Sequence, residues 1–174
     1  MSALKSLSLM AAVSVLFLTG CSISPTVSPY EGEQEGLVVF GTDIVVKGDA
    51  ELEYNYIFSV ENVATGEVDR MRMVVREGET YAVLGRLPNG EYRFVKREDI
   101  RRDARGIRLE EIDGHFTVAA GEVTLPKMIR VEKGLYTRVV EITELTNADG
   151  RVLFDLQLAN QSSLQGWRYH PRAN

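Results

Sequence analysis

The chain has 174 residues, 44% of them hydrophobic and 26% charged, with a formal net charge of −5. Those proportions exclude a disordered chain, a fibrous repeat and a polytopic membrane protein. A single cysteine excludes an internal disulfide framework and a cysteine-built zinc site.

The first twenty residues read as an address. Lys5 precedes an apolar run over residues 7–18, broken only by Ser8 and Ser14. A membrane-spanning helix needs about 20 apolar residues, so this run is too short, whereas a basic start and a short apolar core are the layout of a secretory signal. The run ends in Leu18-Thr19-Gly20-Cys21, which resembles the lipobox of bacterial lipoproteins. That resemblance implies cleavage before Cys21, a diacylglyceryl thioether on its sulfur and an acylated amino terminus. A thiolate is the side-chain nucleophile suited to forming that thioether. An ordinary signal peptide, or a buried N-terminal helix with an incidental cysteine, is the alternative. Ser22 is compatible with export to the outer membrane of a diderm cell, facing the periplasm. Cleavage leaves 19 basic against 25 acidic side chains, a charge of −6 that offers no footprint for nucleic acid.

Residues 21–36 read as the lipidated cysteine and a flexible linker. Pro25, Pro29, three serines and Glu31, Glu33 and Glu35 carry no hydrophobic period. A solvated acidic spacer suits the three glutamates better than a ligand cluster.

From residue 37 to 160 apolar residues alternate between regularly spaced turns. A β-branched run covers 37–46, and Leu52, Tyr54, Tyr56, Phe58 and Val60 share one strand face. A turn at 62–66 leads to a run through Val68, Met71 and 73–75, closed by Glu77-Gly78-Glu79. Residues 80–84 enter Leu87-Pro88-Asn89-Gly90, a tight-turn signal. Tyr92 and Phe94 follow on alternate positions, with Lys96 next in the series. Further runs cover 107–112, 115–118, 123–131, 136–145 and 152–158. The last also suits a helix capped by Asn147 or Asp149, but Phe and Val favour a strand. The expectation is an all-β fold: an antiparallel β-sandwich of about eight strands, then a tail over 161–174.

Residues 81–92, through Leu87-Pro88-Asn89-Gly90-Glu91-Tyr92, resemble the hairpin of transthyretin-like and carboxypeptidase-regulatory-like β-sandwiches. Phe116-Thr117-Val118-Ala119-Ala120-Gly121-Glu122-Val123 resembles a stretch of small periplasmic lipoproteins with that sandwich. The resemblance implies a prealbumin- or Ig-like domain with accessory or binding roles. It carries over no catalytic residue.

Chemical candidates are sparse. His115 and His170 stand far apart, neither with a second ligand at metal spacing, and read as a strand-entry residue and a solvated tail residue. Glu110 and Glu111, as strand neighbours, point to opposite faces and do not form an acid/base pair. Asp43 and Asp49 straddle a Lys-Gly turn as a weak calcium candidate. Neither metal nor cofactor is expected, and no enzyme.

Two segments are candidates for interaction. Residues 96–113 hold six basic and six acidic side chains. They read as an exposed, self-neutralised arm or as a docking arm, with Arg101, Arg102 and Arg105 as test positions. In the tail, Trp167 and Tyr169 flanked by arginine either form a hot spot or sugar platform, or fold back over the open end of the sandwich. The resulting expectation is a lipid-anchored, non-catalytic binding module of the cell envelope. It meets the bilayer through Cys21 and an envelope protein through its surface. A carbohydrate- or small-ligand-binding module is the rival reading, and an envelope enzyme the third.

Overall fold

Leu37, Val38, Val39 and Phe40 are all buried, although only alternate positions can face one side of a strand. The computed structural model resolves this: the strand belongs to the middle layer of three. The structure describes residues 27–46, 53–100, 107–134 and 137–171. Cys21, Asp49, Leu52, Arg101, Arg102 and Arg105 lie outside the described residues.

Among the described residues ten strands form two sheets. The first sheet contains β1 (Glu35–Val46), β4 (Tyr81–Pro88), β8 (Glu122–Lys133), β9 (Arg138–Glu144) and β10 (Arg168–His170), in the order β10-β8-β1-β4 with β9 also paired to β8. The second contains β2 (Glu53–Asn62), β3 (Val68–Arg76), β5 (Gly90–Ile100), β6 (Arg108–Glu111) and β7 (His115–Val118), in the order β3-β2-β5-β6 with β7 also on β5.

The second sheet is antiparallel throughout, as expected, but the first is mixed: β8 runs parallel to both β1 and β10. Parallel neighbours occur where both sheet faces are covered, and β1 and β8 meet that condition. Val38, Phe40, Ile129 and Val131 point into the core between the sheets, against Tyr56, Phe58, Met73, Phe94 and Phe116. Leu37, Val39, Val123 and Leu125 point the other way, into a second core. Fully burying such a side chain contributes roughly 1.5–3 kcal/mol.

The C-terminal part of the chain builds that outer layer. Residues 152–158, expected as a strand, are helical: α1 spans Asn147–Leu153 and a π-helical turn spans Phe154–Leu158. The cap is Thr146, whose hydroxyl accepts the Asp149 amide at 3.1 Å, rather than Asn147 or Asp149. Phe154 and Leu158 are buried on the first sheet, while Val152 and Leu156 are exposed. Alternation alone puts Phe154, Leu156 and Leu158 on one face; the four-residue spacing of Phe154 and Leu158 is what the helix uses.

The Pro88-Asn89-Gly90 turn joins β4 in one sheet to β5 in the other, so it is a corner between sheets and not the hairpin read from its residues. The Tyr92 hydroxyl closes this corner by donating to the Pro88 carbonyl at 3.0 Å, the arrangement known as a tyrosine corner.

Strand directions give the molecule two distinct ends. β1, β5 and β8 all start at one end, with the Pro88-Asn89-Gly90 corner and Trp167. At the opposite end β1 stops at Val46, β5 at Ile100 and β8 at Lys133. We call these the entry end and the far end.

Candidate functional site

At the far end, charge is carried inside the protein. A bulge in β5 opposite Ser59 and Val60 inserts one residue, which flips the parity of everything after it. Phe94 faces the core, but Lys96 does not: it pairs with Ser59 on the outer face, and Arg97 and Asp99 take the inward positions beside Phe58 and Tyr56. Arg97, Glu98 and Asp99 are 4%, 5% and 2% exposed. The segment expected as an exposed arm therefore begins as a buried strand.

Asp99 accepts from Arg97 Nε at 2.8 Å and from Arg138 Nη2 at 3.0 Å, and Arg97 also pairs with Glu110. Arg138 lies on β9, so this network ties the two sheets together. The Arg97 guanidinium stacks 5.6 Å over Tyr56, and that of Arg138 lies 5.3 Å over Tyr54. The hydroxyls of Tyr54 and Tyr56 are buried without a hydrogen-bond partner among the described residues. Burial, opposed by Arg138, raises the pKa of both phenols above the ordinary value of 10.0. Two guanidiniums hold the Asp99 carboxylate, which favours a structural clamp over a general base.

At the entry end, Trp167 is buried and not an exposed aromatic platform. Its ring packs 5.1 Å from Tyr30, its Nε1 donates to the Ser28 carbonyl at 3.0 Å, and Arg86 covers it at 5.2 Å. Arg86 also reaches Glu33 at 3.0 Å and the Ser28 hydroxyl at 2.6 Å. Residues 27–34, expected as free linker, thus form a strap fastened to the domain. Gly121 permits this through a φ of +71°, and a Cβ there would meet the Tyr30 ring at 2.8 Å. Tyr169 is half-buried, its hydroxyl donating to the Asn147 carbonyl at 3.1 Å and its ring packed on Phe154. The expected tail is therefore part of the fold, with β10 paired to β8.

A third feature lies at the side of the first sheet. A cleft of about 470 Å³ lies beside β4, lined by Tyr81 and Val83 together with Arg76, Glu79, Gln157 and Gln161. The Tyr81 hydroxyl donates to Gln161 Oε1 at 2.8 Å, fixing the amide at its rim.

The remaining candidates are dispersed. His115 is exposed on β7 opposite Arg93, while His170 is half-buried with Nδ1 2.5 Å from Glu122 Oε2. Glu110 meets Arg97 and Arg108, and Glu111 is exposed. Asp43 is exposed, 3.6 Å from Arg130. Among the described residues no group of three or more His, Cys, Asp or Glu is arranged to hold a metal ion, and no helix is long and apolar enough to cross a membrane.

The sequence reading missed the buried ionic network, because its signal is a bulge and a partner 39 residues away on β9. It also missed the cleft, which the unexpected helix completes.

No family model and no curated protein matches the chain. Among solved structures, a leucine-rich repeat protein from Bacteroides thetaiotaomicron is similar over 57% of this chain and 14% of its own, at 18% identity and a TM-score of 0.36.

Proposed function

We propose that this chain is a lipid-anchored extracytoplasmic protein whose β-rich domain acts as a non-catalytic binding module in the cell envelope. The observation that carries the reading is Leu18-Thr19-Gly20-Cys21 at the end of the apolar run, six residues before the strap begins at Val27. Acyl chains on Cys21 contribute about 0.8 kcal/mol for each buried methylene, and more than one chain is needed for stable anchoring.

The strap sharpens this reading. Six residues span at most about 20 Å when extended. On this reading the entry end stays within about that distance of the bilayer surface, and the far end points away from it. β5 ends at Ile100 and β6 begins at Arg108, both at the far end. Tethering raises the effective concentration of the domain at the membrane, which lets weak contacts suffice.

The prealbumin- or Ig-like form of the sandwich is part of the same proposal. Its support is the tyrosine bond at the Pro88-Asn89-Gly90 corner, a feature of Ig-type sandwiches. The burial of Trp167 counts against a sugar platform at that residue.

Cys21→Ala tests the proposal. The variant is expected in the soluble fraction or as an unprocessed precursor. A variant that is cleaved to the parent's mature length and still partitions into detergent would refute the anchor.

A further inference from the structure

We propose that the open edge of β4 is a docking site for an extended segment of a partner protein, which adds as a further strand and sets a side chain in the adjoining cleft. This rests on the reading of the domain as a binding module and names the class of partner.

Among the described residues β4 is the terminal strand of the first sheet and pairs with β1 alone. The Thr42 amide donates to the Thr80 carbonyl at 2.9 Å, which sets the phase of the ladder. Thr42 with Thr80, and Phe40 with Ala82, direct their backbone groups at each other; Tyr81 and Val83 direct theirs to the open side. Such a row of unpaired amides and carbonyls is a template for another strand.

Edges are ordinarily blunted with charge. β3 carries Asp69, Arg70, Arg72 and Arg76, β6 carries Arg108, Glu110 and Glu111, and β9 carries Arg138, Glu141 and Glu144. Tyr81-Ala82-Val83-Leu84-Gly85 in β4 carries none. The proline that would block pairing stands only at the last position, Pro88.

The cleft lies against this same stretch of β4. In strand addition, backbone bonds give affinity and a pocket for alternate side chains gives selectivity. The cleft wall offers the side-chain amide of Gln157, while that of Gln161 is held by the Tyr81 hydroxyl and the Gln157 carbonyl. Arg76 and Glu79 are the charged residues lining the cleft and lie 3.6 Å apart, so the rim carries no net charge. An uncharged, β-branched segment with a small polar residue at the cleft is the complementary occupant.

The test uses the full-length protein and an array of blocked hexapeptides alternating valine and threonine, with each amino acid in turn at the central position. A selected peptide is expected to bind and to slow amide exchange at Tyr81 and Val83 by about tenfold or more, leaving Ala82 unchanged. Val83→Pro removes one outward amide while sparing the ladder to β1, and should abolish that binding. Should Val83→Pro perturb the sheet, Gln157→Ala with Gln161→Ala should shift the preferred central residue while the fold is retained. Binding that leaves Tyr81 and Val83 exchange unchanged, no binding across the array, or protection that rises with protein concentration without peptide would each overturn the proposal. The last outcome would make a second copy the occupant. None of these outcomes bears on Cys21, so loss of this site and loss of the anchor are separable.

Discussion

Trp167 Nε1 donates to the carbonyl of Ser28 across 139 positions of sequence. That bond joins the last strand region to the strap that precedes the first. Trp167→Ala removes the bond, the Tyr30 contact and most of the buried ring. It should cost about 3–5 kcal/mol in urea unfolding and expose the strap amides to exchange. Trp167→Phe keeps much of the packing and should cost less. Unchanged strap protection in Trp167→Ala would show that Arg86 and the backbone bond from Tyr30 to Gln165 suffice to fasten the segment.

Asp99 is the shared acceptor between two guanidiniums, and Arg97 is nearly inaccessible. Asp99→Ala leaves Glu110 as the one counter-ion of Arg97 among the described residues and removes the acceptor of Arg138, and should destabilise by about 1–3 kcal/mol. Replacing Arg97, Asp99 and Arg138 together with apolar residues of similar volume should cost far less, since no charge is then stranded. A triple variant as unstable as Asp99→Ala would contradict this account of the network.

Among the described residues the buried hydroxyls of Tyr54 and Tyr56 have no partner, whereas the Tyr92 hydroxyl is bonded to Pro88. Tyr54→Phe and Tyr56→Phe should therefore be neutral or stabilising, and Tyr92→Phe should lose about 1 kcal/mol. Thermal unfolding of the three variants side by side checks the ranking.

The same phenols set an alkaline limit. Burial holds Tyr56 neutral in the fold, with its pKa above the ordinary 10.0. The unfolded chain releases the proton once pH passes about 10, while the folded chain keeps it. The contribution is whole below that pH and is lost as pH rises further. Unfolding and the tyrosinate absorbance should rise together above pH 10, with a shallower loss of stability in Tyr56→Phe.

Leu156 and Leu158 distinguish helix from strand in the outer layer. Leu156 is 68% exposed and Leu158 is 0% exposed. Leu156→Glu should change stability by under about 0.5 kcal/mol, and Leu158→Ala should cost about 2–5 kcal/mol. Equal losses at the two positions would indicate a strand.

The strands were legible where alternation and burial agree: Tyr54, Tyr56, Phe58 and Val60 do share the inner face of β2. Legibility failed where a non-local event decided the outcome. The bulge at Ser59 and Val60 exchanged Lys96 for Arg97 on the inner face, and no local pattern announces it. In 152–158 the alternating Phe154 and Leu158 are also four apart, so one sequence serves both periods. Covering the outer face of the first sheet decided for the helix. Strap residues 27–34 read as linker because they hold few apolar groups, yet Tyr30 and one backbone carbonyl suffice to meet Trp167. The motif behind the proposed anchor needs no fold to be read, and the β4 cleft, built from residues 74 to 161, could not be read at all without one.

The most direct measurement of the central claim is intact-mass spectrometry of the mature protein purified from native membranes. The account predicts a chain beginning at Cys21 and carrying fatty acyl groups there. A mature chain with an unmodified amino terminus at any other residue would contradict it.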